Sequence, residues 1–307
     1  MLALKWCSFG IAFDIDGVVL RGRFPIGNSS RALTRLYDDS GSLNVPFLFL
    51  TNGGDIPDSR RALELSELLG VNILPSQVFV QGHSPFKNLL KRFENELVVA
   101  TGKGEPALVM SEYGFKKVLS LDEYASYFEN IDPVSQYKIW TTEQVSTTSC
   151  HSVPGYIVSS ERVKAAFVIS DLVLCDILRS RGLPGRTNGH QPPLYFTADI
   201  LNTRLAAFPS ERLRMGAFRI ALESIFNGIH HSPLECIAFG KPNPFVFKNA
   251  ETILSQFMLS CLATKGDTGS YPFETLYMIG DNPTVDIKSA RQVDSSHKQN
   301  PPNLELG

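Results

Sequence analysis

Phe9-Gly10-Ile11-Ala12-Phe13-Asp14-Ile15-Asp16-Gly17-Val18-Val19 decides how this chain is read. Its first residues form a short apolar run, the pattern of a buried strand. The run ends in two carboxylates and a glycine turn. In an open α/β sheet, ligands bind at the carboxyl ends of the strands. Residues two apart on a strand point to the same face. Two like charges brought together are costly unless a cation or a proton lies between them. Asp14 and Asp16 therefore ask for a metal ion, a proton-transfer role, or both.

The same strand-then-polar pattern recurs along the chain. Pro46-Phe47-Leu48-Phe49-Leu50 reads as a second buried strand and runs into Thr51-Asn52-Gly53-Gly54. Helices are expected over 29–39 and 59–69; in the second, Ala62, Leu63, Leu65, Leu68 and Leu69 are apolar and Gly70 stops the run. A further helix is expected over 84–93, then a strand, Glu96-Leu97-Val98-Val99-Ala100-Thr101, entering a turn at Gly102. This order predicts an α/β fold: a doubly wound parallel sheet, Rossmann-like, with helices on both faces.

The middle of the chain differs. Residues 130–163 are polar with weak periodicity. A strand over 165–171, a helix over 172–181 and a Gly- and Pro-rich loop over 182–193 follow. A short strand, Leu194-Tyr195-Phe196, precedes Thr197-Ala198-Asp199, and an amphipathic helix covers 216–226. Together these predict an inserted domain over 131–234, within a discontinuous core of 1–130 and 235–307. The core resumes with a strand over 234–239, then Gly240-Lys241-Pro242-Asn243-Pro244, a helix over 245–262 and a loop over 265–270. Leu276-Tyr277-Met278-Ile279 is a buried strand ending in Gly280-Asp281-Asn282-Pro283-Thr284-Val285-Asp286.

Composition narrows the functional class. The chain has 307 residues, is 43% hydrophobic and carries a net charge of −2. That balance is ordinary for a globular protein, and no basic stripe argues for nucleic acid. No apolar segment approaches the roughly 20 residues that span a bilayer. The five cysteines are scattered and form no Cys-x-x-Cys pair, which suits a reducing compartment and not a zinc site. His230-His231 reads as a polar loop before Ser232-Pro233. No targeting peptide is expected before the first strand. Gly102-Lys103-Gly104 lacks the spacing of a phosphate-binding loop and is expected to be a strand-to-helix turn.

Four polar clusters remain: Asp14/Asp16, Thr51/Asn52, Lys241 and Asp281/Asp286. Each has an ordinary explanation alone. Thr-Asn at a strand end is a turn, Gly-Lys-Pro is a solvated loop, and Asp286 is favourable near a helix start. In this order they make a coherent phosphoryl-transfer site. A carboxylate can attack phosphorus and split hydrolysis into two steps. A second carboxyl can protonate the leaving alkoxide and then deprotonate water. Carboxylate oxygens suit Mg²⁺, and a lysine with a hydroxyl can hold the phosphoryl oxygens.

These motifs resemble those of the haloacid dehalogenase superfamily. The resemblance implies that Asp14 is the nucleophile and Asp16 the general acid and base. It implies phosphoryl binding by Thr51, Asn52 and Gly53, and charge neutralisation by Lys241. Mg²⁺ would be held by Asp14, Asp281 and the Asp16 carbonyl, with Asp286 orienting the lysine or the metal's waters. Carbon–halogen hydrolysis needs no acid for its leaving group, so Asp16 favours a phosphatase. The insert between Thr51 and Lys241 resembles the class IIA cap. Phe49-Leu50-Thr51-Asn52-Gly53-Gly54, Arg214-Met215-Gly216-Ala217-Phe218-Arg219 and Phe239-Gly240-Lys241-Pro242 are similar to the cat-eye-syndrome critical region protein 5 group. The implied substrate is a small phosphorylated metabolite, the implied location mitochondrial or cytoplasmic, and homodimers occur through such caps.

Two departures stand out. Class IIA caps place an Asn before the acidic residue of a substrate-facing loop, where this chain has Thr197-Ala198-Asp199. Asp199 is the expected substrate contact, and an ordinary turn accounts for it equally well. After Asp286 relatives continue into another apolar strand, whereas here the tail is polar and holds Pro301-Pro302. The tail predicts that the strand over 276–279 is left at a sheet edge. It also keeps open a weakly active or inactive form that binds metal or phosphate or acts in regulation. Phosphotransfer to a sugar would use the same residues.

Overall fold

A computed structural model describes residues 9–54, 56–80, 82–126, 161–170, 192–204, 211–229, 233–264, 275–288 and 290–291. The chain opens with β1 (Phe9–Phe13), a small antiparallel pair β2 (Leu20–Arg21) and β3 (Phe24–Pro25), and helix α1 (Ser29–Thr34). Next come β4 (Phe47–Thr51), α2 (Asp58–Leu69) and β5 (Val78–Val80). A 3₁₀ turn over Ser84–Leu89 and the short α3 (Leu90–Phe93) lead to β6 (Leu97–Thr101), α4 (Pro106–Glu112), β7 (Lys117–Ser120) and α5 (Leu121–Ser126). Then follow β8 (Ala165–Val168), β9 (Leu194–Phe196), and an antiparallel pair β10 (Asn202–Arg204) and β11 (Glu211–Leu213). The last elements are α6 (Met215–Ile229), β12 (Cys236–Ala238), α7 (Phe245–Thr264) and β13 (Thr275–Ile279).

The strands form two parallel sheets. The first has the order β13-β1-β4-β5. Its β4 is buried at every position, and apolar from Phe47 to Leu50, because both faces are covered. Phe47 and Phe49 pack with Ala62, Leu65 and Leu69 of α2. Leu48 and Leu50, pointing the other way, pack with Val246, Phe247, Ala250 and Leu254 of α7. The α2 residues recur at helical spacing, and the helix stops at Gly70, which takes a left-handed conformation (φ 67°). Leu65 is fully buried, so Leu65→Ala would cost about 2–5 kcal/mol.

The second sheet has the order β12-β9-β8-β6-β7. On one face Val98, Ala100, Phe167 and Tyr195 pack with Phe86, Phe93 and Phe115. On the other, Ala166, Val168, Leu194 and Phe196 meet Met215, Phe218 and Leu222. The doubly wound α/β architecture thus holds, with one correction. The sequence pattern assigns β6 and β12 to the first sheet, outside the expected 131–234 insert; both belong to the second. An apolar run carries the same pattern in either parallel sheet, so local sequence does not say which sheet it joins. The chain leaves the first sheet after β5 and returns between β12 and α7.

Two expected helices also differ. The run over 29–39 is helical only to Thr34, because Asp38 accepts from the Ser40 and Ser42 amides, each at 3.0 Å, and closes a turn instead. The run over 84–93 is half 3₁₀. Gly102-Lys103-Gly104 does lie between β6 and α4. Among the described residues β13 is the outer strand of its sheet, with Tyr277 54% exposed. The expected helix over 172–181, most of the loop over 182–193, the loop over 265–270, His230-His231 and the tail lie outside the described residues. No helix among the described residues is long and apolar enough to cross a membrane.

Candidate active site

Parallel register brings three strand ends level. Phe13 lies opposite both Phe49 and Ile279, so Asp14, Leu50-Thr51 and Gly280-Asp281 emerge together. The Asp14 amide continues the ladder by donating to the Ile279 carbonyl at 2.8 Å. The chain then turns, and the Val19 and Leu20 amides donate back to the Ile15 carbonyl. Gly17 makes that turn at φ +90°, and a Cβ there would lie 2.1 Å from Asp281 Oδ2. Glycine satisfies both the conformation and the close approach.

The two opening carboxylates do not share an environment. Asp14 is 9% exposed, whereas Asp16 is exposed. β1 ends at Phe13, so the alternation that would put them on one face has already stopped. Burial pushes the Asp14 carboxyl up to about 6, against the opposing pull of Lys241, and Asp286 adds to the rise. Asp16 Oδ2 and Thr51 Oγ1 both border Gly53, at 3.7 and 3.6 Å from where its Cβ would be. The Gly53 amide donates to Thr51 Oγ1 at 3.2 Å, and Thr51 is buried.

Lys241 is not in a solvated loop; it is 1% exposed. Its ammonium lies 3.1 Å from Asp14 Oδ1 and donates to the Leu50 carbonyl at 2.9 Å and to Asp286 Oδ1 at 2.5 Å. A buried ammonium is tolerated only with such partners. The Asn52 carboxamide holds the Lys241 backbone at both polar groups: Nδ2 donates to its carbonyl and its amide donates to Oδ1, each at 3.0 Å.

Asp286 is fully buried and does not cap the helical turn. Asn282 is the cap, accepting from the Thr284 amide at 3.1 Å at the start of a π turn, Pro283–Ile287. Asp286 points inward, where Oδ2 accepts from the Asn282 amide at 3.1 Å. A Cβ on Gly280 would lie 2.4 Å from the Asp286 side chain. Asp14, Asp281 and Asp286 each offer an oxygen within 4.8 Å of the others, a set of hard donors that fits a divalent ion such as Mg²⁺. Burial, with Asp286 beside it, raises the Asp281 carboxyl above its ordinary range.

The fold therefore brings Asp14, Lys241, Asp281 and Asp286 together, with Thr51 buried at the end of β4 and Asn52, Gly53 and Asp16 toward the surface. Asp199 is engaged elsewhere: Arg219 Nε and Nη2 donate to its two oxygens at 2.8 and 3.0 Å. Sequence reading misses that pair, and also the Asn52 clamp, because neither has a local pattern. The glycines beside acidic residues, Gly17 and Gly280, were the signal available for the close packing.

Fold and site together define a doubly wound α/β protein with an acidic centre beside a buried lysine. The chain belongs to the haloacid dehalogenase-like hydrolases. Residues 11–116 match the haloacid dehalogenase-like hydrolase family, and residues 238–296 match the HAD-hydrolase-like family. A mitochondrial hydrolase of Saccharomyces cerevisiae is 29% identical, over 92% of this chain and 84% of that one. Two solved structures share the fold. A possible sugar phosphatase from Cytophaga hutchinsonii is 15% identical with a TM-score of 0.57, covering 95% of this chain and 83% of that one. Glycerol phosphate phosphatase from Mycobacterium tuberculosis, in complex with magnesium, is 16% identical with a TM-score of 0.53, covering 92% and 65%.

Proposed function

We propose that this protein is a Mg²⁺-dependent phosphatase that hydrolyses a small phosphate monoester through an aspartyl-phosphate on Asp14. The observation that carries the reading is the contact of Asp14 Oδ1 with the buried Lys241 ammonium, 3.1 Å away, beside Asp281 and Asp286. Lys241 and the Ile15 amide hold Oδ1, which leaves Oδ2 as the attacking oxygen. Attack forms the Oδ2–P bond and breaks the ester P–O bond, and Asp16 gives its proton to the departing alkoxide. Asp16, exposed and beside Thr51, then takes a proton from the water that attacks phosphorus. Phosphate leaves and the Asp14 carboxylate returns.

Lys241 neutralises charge on the phosphoryl oxygens and is itself held by Asp286. Thr51 and the backbone amides of Asn52 and Gly53 bind the remaining oxygens; the Asn52 side chain is already committed to Lys241. Asp14, Asp281 and the Asp16 carbonyl would hold Mg²⁺, which supplies charge neutralisation between the nucleophile and the anionic substrate. Asp199 would reach substrate only by sharing its oxygens with Arg219. The relatives named as glycerol phosphate and sugar phosphatases support a small polyol or sugar phosphate as substrate. The yeast relative supports a mitochondrial location.

The test is hydrolysis of p-nitrophenyl phosphate and a panel of sugar and polyol phosphates, with and without Mg²⁺, in wild type and Asp14→Asn. Wild type is expected to turn over only with Mg²⁺, and Asp14→Asn to lose about three orders of magnitude or more. Equal rates in the two proteins would overturn the reading.

A further inference from the structure

A second cluster of titratable side chains lies where the two sheets meet. His83 is fully buried on the crossing from β5 to β6. Its Nδ1 is hydrogen-bonded to the Tyr113 hydroxyl. That hydroxyl donates to Asp58 Oδ2 at 3.0 Å, which also accepts from Lys87 Nζ at 3.1 Å. The Lys87 ammonium sits 4.3 Å from the centre of the Tyr113 ring. Because Tyr113 gives its proton to Asp58, His83 must donate from Nδ1, which leaves Nε2 a bare acceptor. Nε2 and Asp58 Oδ1 are both buried and have no hydrogen-bond partner among the described residues. Burial and the nearby Lys87 push His83 down to about 3, so the ring is neutral.

The members come from both sides of the junction. Asp58 opens α2, which packs on the first sheet. Tyr113 follows α4 and packs, with Met110, on the second. Around the buried chain, Ser59 Oγ donates to Glu112 Oε2 at 3.1 Å, and Arg60 pairs with Glu105. Alongside, the two crossings converge on Thr197. A Cβ on Gly82 would lie 2.0 Å from Thr197 Cβ, and one on Gly240 would lie 2.3 Å from the Thr197 carbonyl. The rings of Phe86 and Phe239, one from each crossing, are 5.6 Å apart.

A buried polar chain with unsatisfied ends is a costly way to join two packed bodies. It differs from an apolar seam in being directional: the Tyr113 hydroxyl is the buried link between His83 and Asp58, inside the more exposed Ser59–Glu112 and Arg60–Glu105 pairs. We propose that His83, Tyr113 and Asp58 are a latch that sets the angle of the second sheet over Asp14, with Thr197 and the two glycines as its pivot. These are positioning residues, since they touch neither the reacting carboxylate nor its lysine. The kinetic part of this inference rests on the phosphatase reading above; the structural part does not.

Tyr113→Phe removes the hydroxyl and keeps the ring. Hydrogen–deuterium exchange of wild type and Tyr113→Phe is expected to show residues 58–62 and 84–93 exchanging about tenfold faster in the variant, with β1 and β4 unchanged. Lys87→Ala, at a half-exposed position, removes one of the two partners of Asp58 Oδ2 and is expected to give the same pattern at smaller size. In Tyr113→Phe, KM for a sugar phosphate should rise severalfold while kcat for p-nitrophenyl phosphate, which has little to present to the second sheet, stays within about twofold. Unchanged exchange in both variants, or faster exchange throughout including β1 and β4, would overturn the latch. Absent turnover in every protein, with the exchange pattern as expected, would leave the latch standing and remove the phosphatase reading instead.

Discussion

The Asn52 carboxamide pairs with both polar groups of the Lys241 backbone, across a sequence separation of 189 residues. An amide side chain does here what a neighbouring strand does in a sheet. It holds the end of β4 against the segment that returns from the second sheet, and so fixes the depth to which Lys241 reaches toward Asp14.

Asn52→Ala removes both bonds and leaves the Lys241 amide and carbonyl short of partners, at about 1–3 kcal/mol. We expect a lowered melting temperature and a kcat reduced about 10- to 100-fold, because the lysine loses its alignment with Asp14, the proposed nucleophile. Asn52→Asp keeps the acceptor for the Lys241 amide but loses the donor, and should fall between the two. Thermal melts and steady-state kinetics on the three proteins check the order; wild-type kcat in Asn52→Ala would refute the clamp.

Metal affinity should depend on pH through Asp14. Its carboxyl is raised to about 6 by burial, so without metal it is protonated below that pH. Proton and Mg²⁺ compete for it. Apparent Mg²⁺ affinity is expected to be level above about pH 7 and to weaken about tenfold for each further pH unit below about 6. Calorimetric titrations at pH 5, 6, 7 and 8 would measure this. An affinity flat across the range would show that Asp14 does not take part.

Gly17→Ala should be nearly inactive. The residue holds φ +90°, and the added methyl would stand 2.1 Å from Asp281 Oδ2. Either Asp281 moves away from Asp14 or the turn after β1 opens. Weakened Mg²⁺ binding, with little change in the β1–β4 core, is the expected result. The check is calorimetry beside circular dichroism, and full metal affinity in the variant would contradict it.

His83 predicts a separate pH effect on stability. The folded protein holds it near 3, below the ordinary value of 6.5. Above pH 6.5 neither state binds the proton and nothing is lost. As pH falls through 6.5 toward 3, only the unfolded chain takes it up, so stability declines, by about 2 kcal/mol at pH 5. Urea unfolding at pH 7 and pH 5 should show wild type losing that much more than His83→Asn. Equal losses would place the proton elsewhere.

Much of the fold was legible because buried parallel strands leave an unmistakable local trace. The run from Phe47 to Leu50 is apolar at each position since α2 covers one face and α7 the other. Helix α2 was readable from its spacing and from Gly70, where a left-handed residue ends it. Asp14, Thr51 and Asp281 were legible too, since each stands at the end of such a run, and a parallel sheet gathers its strand ends along one edge; Lys241 follows β12 of the second sheet and meets Asp14 from there.

By itself, then, the sequence determined an α/β fold and a hydrolase of the haloacid dehalogenase type, and it marked the carboxylates and the lysine that follow its apolar runs as candidates. Only the tertiary structure decided which sheet β6 and β12 join, which of Asp14 and Asp16 is buried, that Asn52 serves Lys241, that Asp199 is bound to Arg219, and that His83 meets Tyr113 and Asp58. Local pattern records whether a residue is buried and with what period. It does not record by what the residue is buried, and every one of these contacts joins segments far apart in the chain.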